Sequence, residues 1–300
     1  MVEPRISVIV PHLNQPGALA RCLASLAAGT RAPEEVIVVD NGSDAPPHEI
    51  CARHDARLLH EPTPGPGPAR NRGVAASNGA ILAFIDADCT ADPGWIAAIE
   101  AAFADPAAEI LGGDVRIAMD DPDRPSLIEA YESVYGYRME RYITQDGFCA
   151  TLNFAAQREV MDAVGDFGGR EMAEDRDWGQ RATRAGHDMR YVSGMRVYHP
   201  ARASFAELAR KWDRQIAHDY AAWRARRRGR LRWGLRALAM ALSPPAELGR
   251  VLASDRVRGA RARALAWAGV ARVRLYRARV MARLLAGADA EALTGRWNRG

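Results

Sequence analysis

The sequence predicts an α/β fold, with a mixed, mostly parallel central sheet flanked by helices and a helical, arginine-rich C-terminal extension. Short apolar runs alternate with helical patterns over the first half of the chain, as they do in parallel α/β sheets. These runs are continuously apolar, which is typical of strands that helices cover on both faces. After residue 200, an arginine-rich helical periodicity replaces the strand pattern.

The first half of the chain supplies most of the predicted sheet. In chain order we predict a strand at 6–10, a helix at 16–28, strands at 35–39 and 57–60, a loop at 61–68, a helix at 69–77 and a strand at 80–85. The prolines and glycines of the loop disfavour a helix, and Pro68 suits the first turn of the helix that follows.

The second half combines strand and helix patterns before the extension begins. We predict a strand at 109–117, helices at 126–142 and 174–185, and a long helix that begins near Ser204. Ser126 and Glu129 form a capping-box pattern at the start of the first of these helices, and Gly186 is a typical residue after a helix end.

Composition and charge narrow the class of protein. The chain has 300 residues, of which 48% are hydrophobic, so it is too apolar for a disordered protein and long enough to bury a sizeable core. Residues 1–200 hold 18 arginines against 30 acids, a net charge of −12, whereas residues 201–300 hold 23 basic residues against seven acids, a net charge of +16. This asymmetry indicates an acidic body with a basic appendage for an anionic partner.

Targeting and redox signals are weak in this sequence. The first residues lack the uninterrupted apolar run of a signal peptide, and no segment reaches the ~18 apolar residues of a membrane span. The four cysteines lack the spacing of a zinc site. We therefore expect free thiols in a reducing cytoplasm.

Three carboxylates follow predicted strands, which is where ligands bind in open parallel sheets. Asp40 ends one strand, and Asp86 and Asp88 follow another. Because side chains alternate along an extended chain, Asp86 and Asp88 share a face and repel each other unless a cation compensates. Hard cations prefer oxygen ligands, so this pattern predicts a divalent cation, Mg²⁺ or Mn²⁺, between a carboxylate and substrate phosphates.

Four sequence blocks together carry a resemblance to a known family. They are SVIVPHLNQPGALARCLASL, EEVIVVDNGSD, ARNRGVAASNGAILAFIDADC and AEDRDWGQRATRAGHDMRYV, the last followed by VYHP. In this order the blocks resemble the family-2 glycosyltransferases, which have the GT-A fold. The resemblance implies a catalytic domain at 1–203, with a nucleotide-sugar-binding half at 1–117 and an acceptor half at 118–203. The charge and helical periodicity of the remaining residues predict a basic amphipathic helical tail at 204–300.

The resemblance also implies roles for individual residues in donor binding. Asp40 is expected to contact the donor nucleobase, Asp86 to lie near the ribose, and Asp88 to bind the metal that holds the diphosphate. The remaining matches are Pro11 and Asn14 in the loop around the base, Arg70 in the A-R-N-x-G motif near the donor, Asn153 at the donor-sugar pocket and His199 in the metal shell.

Some of these matches leave alternatives open. His12 stands where the family more often has Thr. Ordinary capping on a helix surface fits Arg70 as well as donor binding does, and a structural role fits His199 as well as a metal-binding one.

A second acid pair supplies the expected catalytic group. Glu174 and Asp175 match the family's E-D motif, which implies that Asp175 is the general base that takes the proton of the attacking hydroxyl. The resemblance implies in-line attack with inversion. The alternative is that both acids only favour the first turn of a helix through its dipole. The Q-x-x-R-W motif of processive members is absent, so we expect transfer of one sugar per acceptor.

The basic tail predicts a further partner. Its apolar stripe consists of Val270, Val273, Tyr276, Val280 and Leu284, with arginines at the intervening positions. We expect residues 224–285 to lie on an anionic membrane surface with this stripe in the lipid, and residues 204–223 to pack on protein. No nucleic-acid module accompanies the arginines, so we expect no nucleic-acid partner.

These expectations combine into one functional prediction. The chain is expected to be a metal-dependent inverting glycosyltransferase, cytoplasmic and peripheral on the inner face of the membrane. Its partners would be a nucleotide-sugar donor and a saccharide or lipid-linked acceptor in cell-surface or exopolysaccharide assembly. The alternatives are a nucleotidyltransferase of the same α/β class and a non-catalytic membrane or scaffold protein.

Overall fold

The computed structural model describes residues 5–169, 173–224 and 229–289. The chain divides into two compact units, one formed by residues 1–116 and 138–200 and the other by residues 117–137 and 201–300. The larger segment of the second unit begins at residue 201, close to the expected start of the tail at residue 204. The other segment, residues 117–137, was expected almost entirely in the acceptor half. The functional division of residues 1–203 into a donor half and an acceptor half stays a prediction.

The first unit contains a mixed sheet. In the described part of the chain the strands are β1 (Ile6–His12), β2 (Glu35–Asp40), β3 (Arg57–His60), β4 (Ile81–Ile85), β5 (Thr90–Ala91), β6 (Ile110–Ala118), β7 (Asn153–Gln157) and β8 (Met189–Pro200). Their order across the sheet is β3-β2-β1-β4-β7-β6-β8-β5. The strands β3, β2, β1 and β4 are parallel, whereas β7 is antiparallel to β4 and β6, and β5 is antiparallel to β8. The mixed α/β sheet predicted from the sequence is therefore confirmed.

Several helices pack against the sheet, and helices form most of the second unit. In chain order the described helices are α1 (Pro16–Ala27), α2 (His48–Arg53), α3 (Pro66–Ala76), α4 (Trp95–Phe103), α5 (Leu127–Tyr135), α6 (Met139–Asp146), α7 (Arg158–Val164), α8 (Glu174–Arg184), α9 (Phe205–Arg224), α10 (Gly229–Leu242), α11 (Leu248–Ala253) and α12 (Gly259–Leu285). A short 3₁₀ turn, Pro244–Glu247, joins α10 to α11.

Two helix predictions need correction. The helix α3 begins at Pro66, inside the segment predicted to be a loop, because a proline in the first turn of a helix forfeits no hydrogen bond. The single helix predicted at 126–142 is two helices, α5 and α6, separated by a segment that begins with Gly136. Glycine is a poor helix former, and the apolar periodicity on its two sides conceals this break.

The second unit is held together by packing among α5, α9, α10 and α12. Trp233 of α10 is 1% exposed and lies in one cluster with Ile216 of α9 and Met281 of α12. A second cluster joins Tyr131 of α5 to Val270 of α12. None of the described helices is both long and apolar enough to cross a bilayer.

This packing corrects the expected membrane-facing stripe. The stripe residues that lie in the core of the second unit are Val270, Val273, Val280 and Leu284, each 6% exposed or less. The prediction that this stripe enters lipid is wrong, because the neighbouring helices cover it. The four cysteines, Cys22, Cys51, Cys89 and Cys149, are free and buried.

Candidate active site

Most of the predicted site residues lie at one edge of the sheet. Strand β1 lies between β2 and β4, and His12 at its end is paired in register with Asp40 at the end of β2. Asp86 follows directly after β4. Because these three strands are parallel, their carboxyl ends meet at the same edge, where ligands bind in open α/β sheets.

The carboxylate of Asp40 is buried and held by neighbouring groups. Its Oδ1 lies 3.0 Å from Nδ1 of His12, and its Oδ2 accepts the backbone N–H of Ser43 at 3.1 Å. Nε2 of His12 accepts the backbone N–H of Gln15 at 3.2 Å, so Nδ1 is the nitrogen that donates to Asp40. Burial alone raises the pKa of Asp40, but hydrogen bonds from Ser43 and His12 hold that pKa below its usual range. His12 is therefore a functional candidate whose part the sequence analysis missed, although its departure from the commoner Thr was a signal.

Asn14 connects the loops that follow β1 and β2. Its backbone N–H donates to Oγ of Ser43 at 2.8 Å, and its Oδ1 accepts the N–H of Asp44 at 2.9 Å. The backbone of Asn14 is left-handed, with φ of 51°, a conformation that Asn adopts more readily than most residues. The loop expected around the base thus brings Asn14, the half-buried Pro11 and Asp40 to one end of the first two strands.

Arg70 connects the D-x-D segment to the second acid pair. Its side chain is only 3% exposed, and its Nη2 lies 2.8 Å from Oδ1 of Asp86. Its Nη1 lies 2.8 Å from Oε1 of Glu174, which is 104 residues away in the chain. The two carboxylates hold the Arg70 guanidinium so firmly in its charged form that they raise its pKa despite burial. A buried two-carboxylate bridge is not the ordinary surface capping that the sequence left open.

Asp175 lies in the first turn of α8, next to the bridged Glu174. Burial raises the pKa of Asp175, the charge of Glu174 raises it further, and the charge of Arg70 opposes this. The Oδ1 atom of Asp175 accepts the N–H of Arg176 at 2.7 Å. Asp175 is therefore a half-buried carboxyl whose pKa is shifted upward, as a group that accepts a proton near neutral pH requires.

An aromatic cluster holds α8 against the sheet. Trp178, one turn after Asp175, packs on Phe154 and Phe167, with ring centroids 5.2 and 5.5 Å apart. Phe154 in turn packs on Phe84, two residues before Asp86. The indole N–H of Trp178 also donates to the carbonyl of Gly165 at 2.8 Å. The cluster thus joins α8, which carries Asp175, to β7 and to β4, which precedes Asp86.

Asp88 and His199 lie together at the end of the D-x-D segment. Oδ2 of Asp88 is 3.5 Å from Nε2 of His199, and both side chains are partly exposed. Burial raises the pKa of Asp88, although the nearby His199 opposes this, and the charge of Asp86 raises it further. Among the described residues, no three His, Cys, Asp or Glu side chains are arranged to hold a metal ion.

The donor atoms nevertheless suit a divalent cation. Carboxylate oxygen and imidazole nitrogen are both ligands of Mn²⁺, and a cation shared with phosphates needs few protein ligands. Burial and the charge of Asp86 both raise the pKa of Asp88, and a bound cation would offset both effects. The pair therefore fits a metal whose remaining ligands come from a bound diphosphate.

Asn153 does not join this group of side chains. Its side chain is fully buried, and its Oδ1 accepts the indole N–H of Trp95 at 2.9 Å. Its Nδ2 donates to the carbonyls of Asp114 and Met195 at 2.8 and 2.9 Å. The partners lie in α4, β6 and β8, so these bonds use the hydrogen-bonding groups of Asn153 within the protein.

Residues 7–167 match the sequence profile of the family described as Glycosyl transferase family 2. The chain belongs to this family. Glycosyltransferase AglE of Haloferax volcanii is 30% identical over 229 residues, which cover 73% of this chain and 74% of that protein. The pre-mycofactocin glycosyltransferase of Mycobacterium tuberculosis is 29% identical over 69% of this chain, but the match spans only 45% of that protein.

Solved structures of other glycosyltransferases have the same fold as this family 2 chain. Mannosyltransferase PcManGT from Pyrobaculum calidifontis, in complex with GDP-Man and Mn²⁺, matches with a TM-score of 0.55 over 100% of this chain and 89% of that one. S. aureus TarS 1-349, in complex with UDP-GlcNAc, matches with a TM-score of 0.52 over 71% of this chain and 66% of that one. Both are 18% identical, so the likeness concerns the fold alone. The expected GT-A fold is confirmed.

Proposed function

We propose that this family 2 glycosyltransferase moves a single sugar from a nucleoside-diphosphate sugar to a hydroxyl of a saccharide or lipid-linked acceptor. The transfer inverts the anomeric carbon and serves the assembly of a cell-surface or exopolysaccharide. The observation that carries the proposal is the Arg70 bridge. One guanidinium binds Asp86 and Glu174 at 2.8 Å each, which supports placing the D-x-D acids and Asp175 in a single site.

The donor is proposed to lie along the carboxyl edge of β1, β2 and β4. Pro11, Asn14 and Asp40 form the nucleobase end, with His12 orienting the Asp40 carboxylate from 3.0 Å away. Asp86 and Arg70 lie toward the ribose and the diphosphate. The nucleotide sugars named in the complexes of TarS and PcManGT support a donor of this class.

Asp88 and His199 are proposed to hold a divalent cation, Mn²⁺ or Mg²⁺. Bound there, the ion balances the negative charge of the leaving diphosphate. The Mn²⁺ in the PcManGT complex supports the presence of a divalent cation. The pairing of an imidazole and a carboxylate oxygen 3.5 Å apart supports it independently.

Asp175 is proposed to accept the proton of the acceptor hydroxyl. As the proton moves to the carboxylate, the hydroxyl oxygen forms a bond to the anomeric carbon while the bond from that carbon to the diphosphate breaks. The attack comes from the face opposite the leaving group and therefore inverts the configuration. The upward-shifted pKa of Asp175 makes it a stronger base than an ordinary carboxylate.

The membrane is proposed as the place of reaction. Residues 224–285, of which 225–228 lie outside the described residues, belong to the region with a net charge of +16 and would attach the protein peripherally to an anionic surface. The expectation that this is the cytoplasmic face belongs to the same proposal.

A donor panel followed by product analysis tests this function. Nucleotide sugars are screened by thermal shift with Mn²⁺, because a bound donor raises the apparent stability of the protein. The stabilising donor is then incubated with saccharide and polyprenyl-phosphate-linked acceptors, and NMR coupling constants give the configuration of the new linkage. We expect the inverted anomer with one sugar added. A retained configuration, or no stabilisation by any donor in the panel, would show the proposal to be wrong.

A further inference from the structure

The helix α10 presents a row of leucines to solvent. Leu231, Leu235, Leu238 and Leu242 are 63%, 60%, 57% and 70% exposed. Their spacing of four, three and four residues places them within an arc of about 60° on one face of the helix. Large apolar side chains that form such a contiguous row on a surface mark an interaction site.

The opposite face of α10 fixes the orientation of this row. Trp233 and Ala237 are 1% and 7% exposed and belong to the core of the second unit. The indole N–H of Trp233 donates to the carbonyl of Met281 at 3.1 Å, and its ring packs on Tyr220 with centroids 5.1 Å apart. The leucine row therefore points outward because the other side of α10 is anchored, and the exposure is a feature of the folded unit.

Exposed apolar side chains continue beyond α10. Leu248 and Leu252 of α11 are 47% and 52% exposed. Trp267 of α12 is 37% exposed, and its indole N–H donates to the carbonyl of Pro244 in the turn that joins α10 to α11. We call these residues together the leucine surface: Leu231, Leu235, Leu238, Leu242, Leu248, Leu252 and Trp267.

The net charge of the helices that carry the leucine surface favours an anionic partner. Residues 229–285 contain 13 arginines and only two acids, Glu247 and Asp255. Arg230 and Arg232 are exposed at the start of α10, where they flank the leucine row rather than interrupt it. Such an arrangement lets guanidinium groups reach lipid phosphates while the leucines enter the acyl boundary. A second copy of the chain would bring two strongly basic surfaces together, which disfavours self-association.

We propose that the leucine surface inserts into the interfacial layer of an anionic bilayer, with α10 lying in the plane of the membrane. This inference deepens the membrane contact of the proposed function and assigns it to different residues from the buried stripe of α12. An amphipathic helix held in the interface gains from both its buried apolar area and its attraction to anionic lipids.

Vesicle co-sedimentation of the full chain tests the inference. The probes are vesicles of phosphatidylcholine alone and of phosphatidylcholine with an equal amount of phosphatidylglycerol. We expect binding to the anionic vesicles and a loss on the order of tenfold for each leucine in the double variant Leu235→Gln/Leu238→Gln. The control Ala206→Gln, at an exposed position of α9, should bind like the wild type. Binding to vesicles without phosphatidylglycerol should be at least about tenfold weaker.

A second leucine pair and the oligomeric state complete the test. Leu231→Gln/Leu242→Gln should lose vesicle binding to a similar degree, so the inference does not depend on one variant that fails to fold. Unchanged binding by both folded double variants would overturn it. It would also be overturned by a wild-type dimer in analytical ultracentrifugation that the same substitutions convert to a monomer. Donor binding is measured in a separate experiment. If the proposed transferase function fails there, the vesicle-binding result still tests the leucine surface.

Discussion

Removal of the Arg70 guanidinium tests the electrostatics of the candidate site. Arg70→Met keeps much of the side-chain length but leaves Asp86 and Glu174 without the cation that each contacts at 2.8 Å. Breaking a buried ion pair costs about 3–5 kcal/mol. The side chains of Asp86 and Glu174 are 33% and 19% exposed, so water screens part of this cost, and we expect a loss of about 2–3 kcal/mol. A loss of that size lowers the melting temperature by roughly 4–10 °C.

The same substitution should change the pH dependence of catalysis. The charge of Arg70 opposes the burial and the Glu174 charge that raise the pKa of Asp175. Without Arg70 that pKa rises further. Because Asp175 must be deprotonated to accept a proton, the acid limb of the kcat profile should move to higher pH.

Thermal unfolding and the pH profile of kcat at saturating donor measure the two effects. The matched control is Arg72→Met, an exposed arginine on the same helix α3. Arg70→Lys should recover only part of both properties, because a lysine cannot bind two carboxylates with the geometry of a guanidinium. The reasoning is refuted if Arg70→Met has the same melting temperature as the Arg72→Met control and the acid limb of its kcat profile does not move.

Other substitutions test the proposed metal site, the packing of the sheet and the buried carboxylate at the proposed nucleobase end. Asp88→Ala should weaken donor binding at least about tenfold with Mn²⁺ and little without it, which calorimetry with and without the metal would show. Gly113→Ala places a Cβ 2.1 Å from the carbonyl of Met195 and should cost about 2–3 kcal/mol in urea unfolding, whereas Gly249→Ala, with no atom within 4 Å of its Cβ, should not destabilise. Asp40 has a lowered pKa, so it stabilises the fold above the unfolded value of about 3.9 and less as pH falls; Asp40→Asn should flatten this dependence of stability on pH.

The parallel strands could be predicted because burial on both faces leaves a continuous apolar run. β1, β2 and β4 lie where such runs were found, whereas β3 is an edge strand with only two apolar residues, neither of them fully buried. The strand β7 was missed because its sequence, Asn-Phe-Ala-Ala-Gln, is short and only partly apolar, and its stability comes from antiparallel neighbours distant in the chain. Prediction from sequence is limited in the tail as well. Periodicity identifies a helix with an apolar face, but on α10 and α12 it cannot tell a face that packs from one that stays exposed.

The candidate site could be predicted where motifs mark strand and helix ends. Asp40, Asp86 and Asp175 lie at such ends, and the structure places them there. The Arg70–Glu174 ion pair joins residues 104 positions apart, and no local pattern signals a contact of that kind. Asn153 was expected at the donor, but its side chain binds Trp95 of α4 and backbone carbonyls of β6 and β8, and sequence spacing does not show contacts between segments so far apart in the chain.

The central claim is that Asp175 is the base that activates the acceptor at a site organised by Arg70. The most direct measurement is the turnover of Asp175→Asn at saturating donor and acceptor, beside the donor dissociation constant of the same variant. Asparagine keeps the size of the side chain and cannot take the proton. We expect kcat to fall by about 10²–10⁴-fold while donor affinity stays within about twofold. Turnover close to that of the wild type, or a fall in kcat explained entirely by lost donor binding, would contradict the claim.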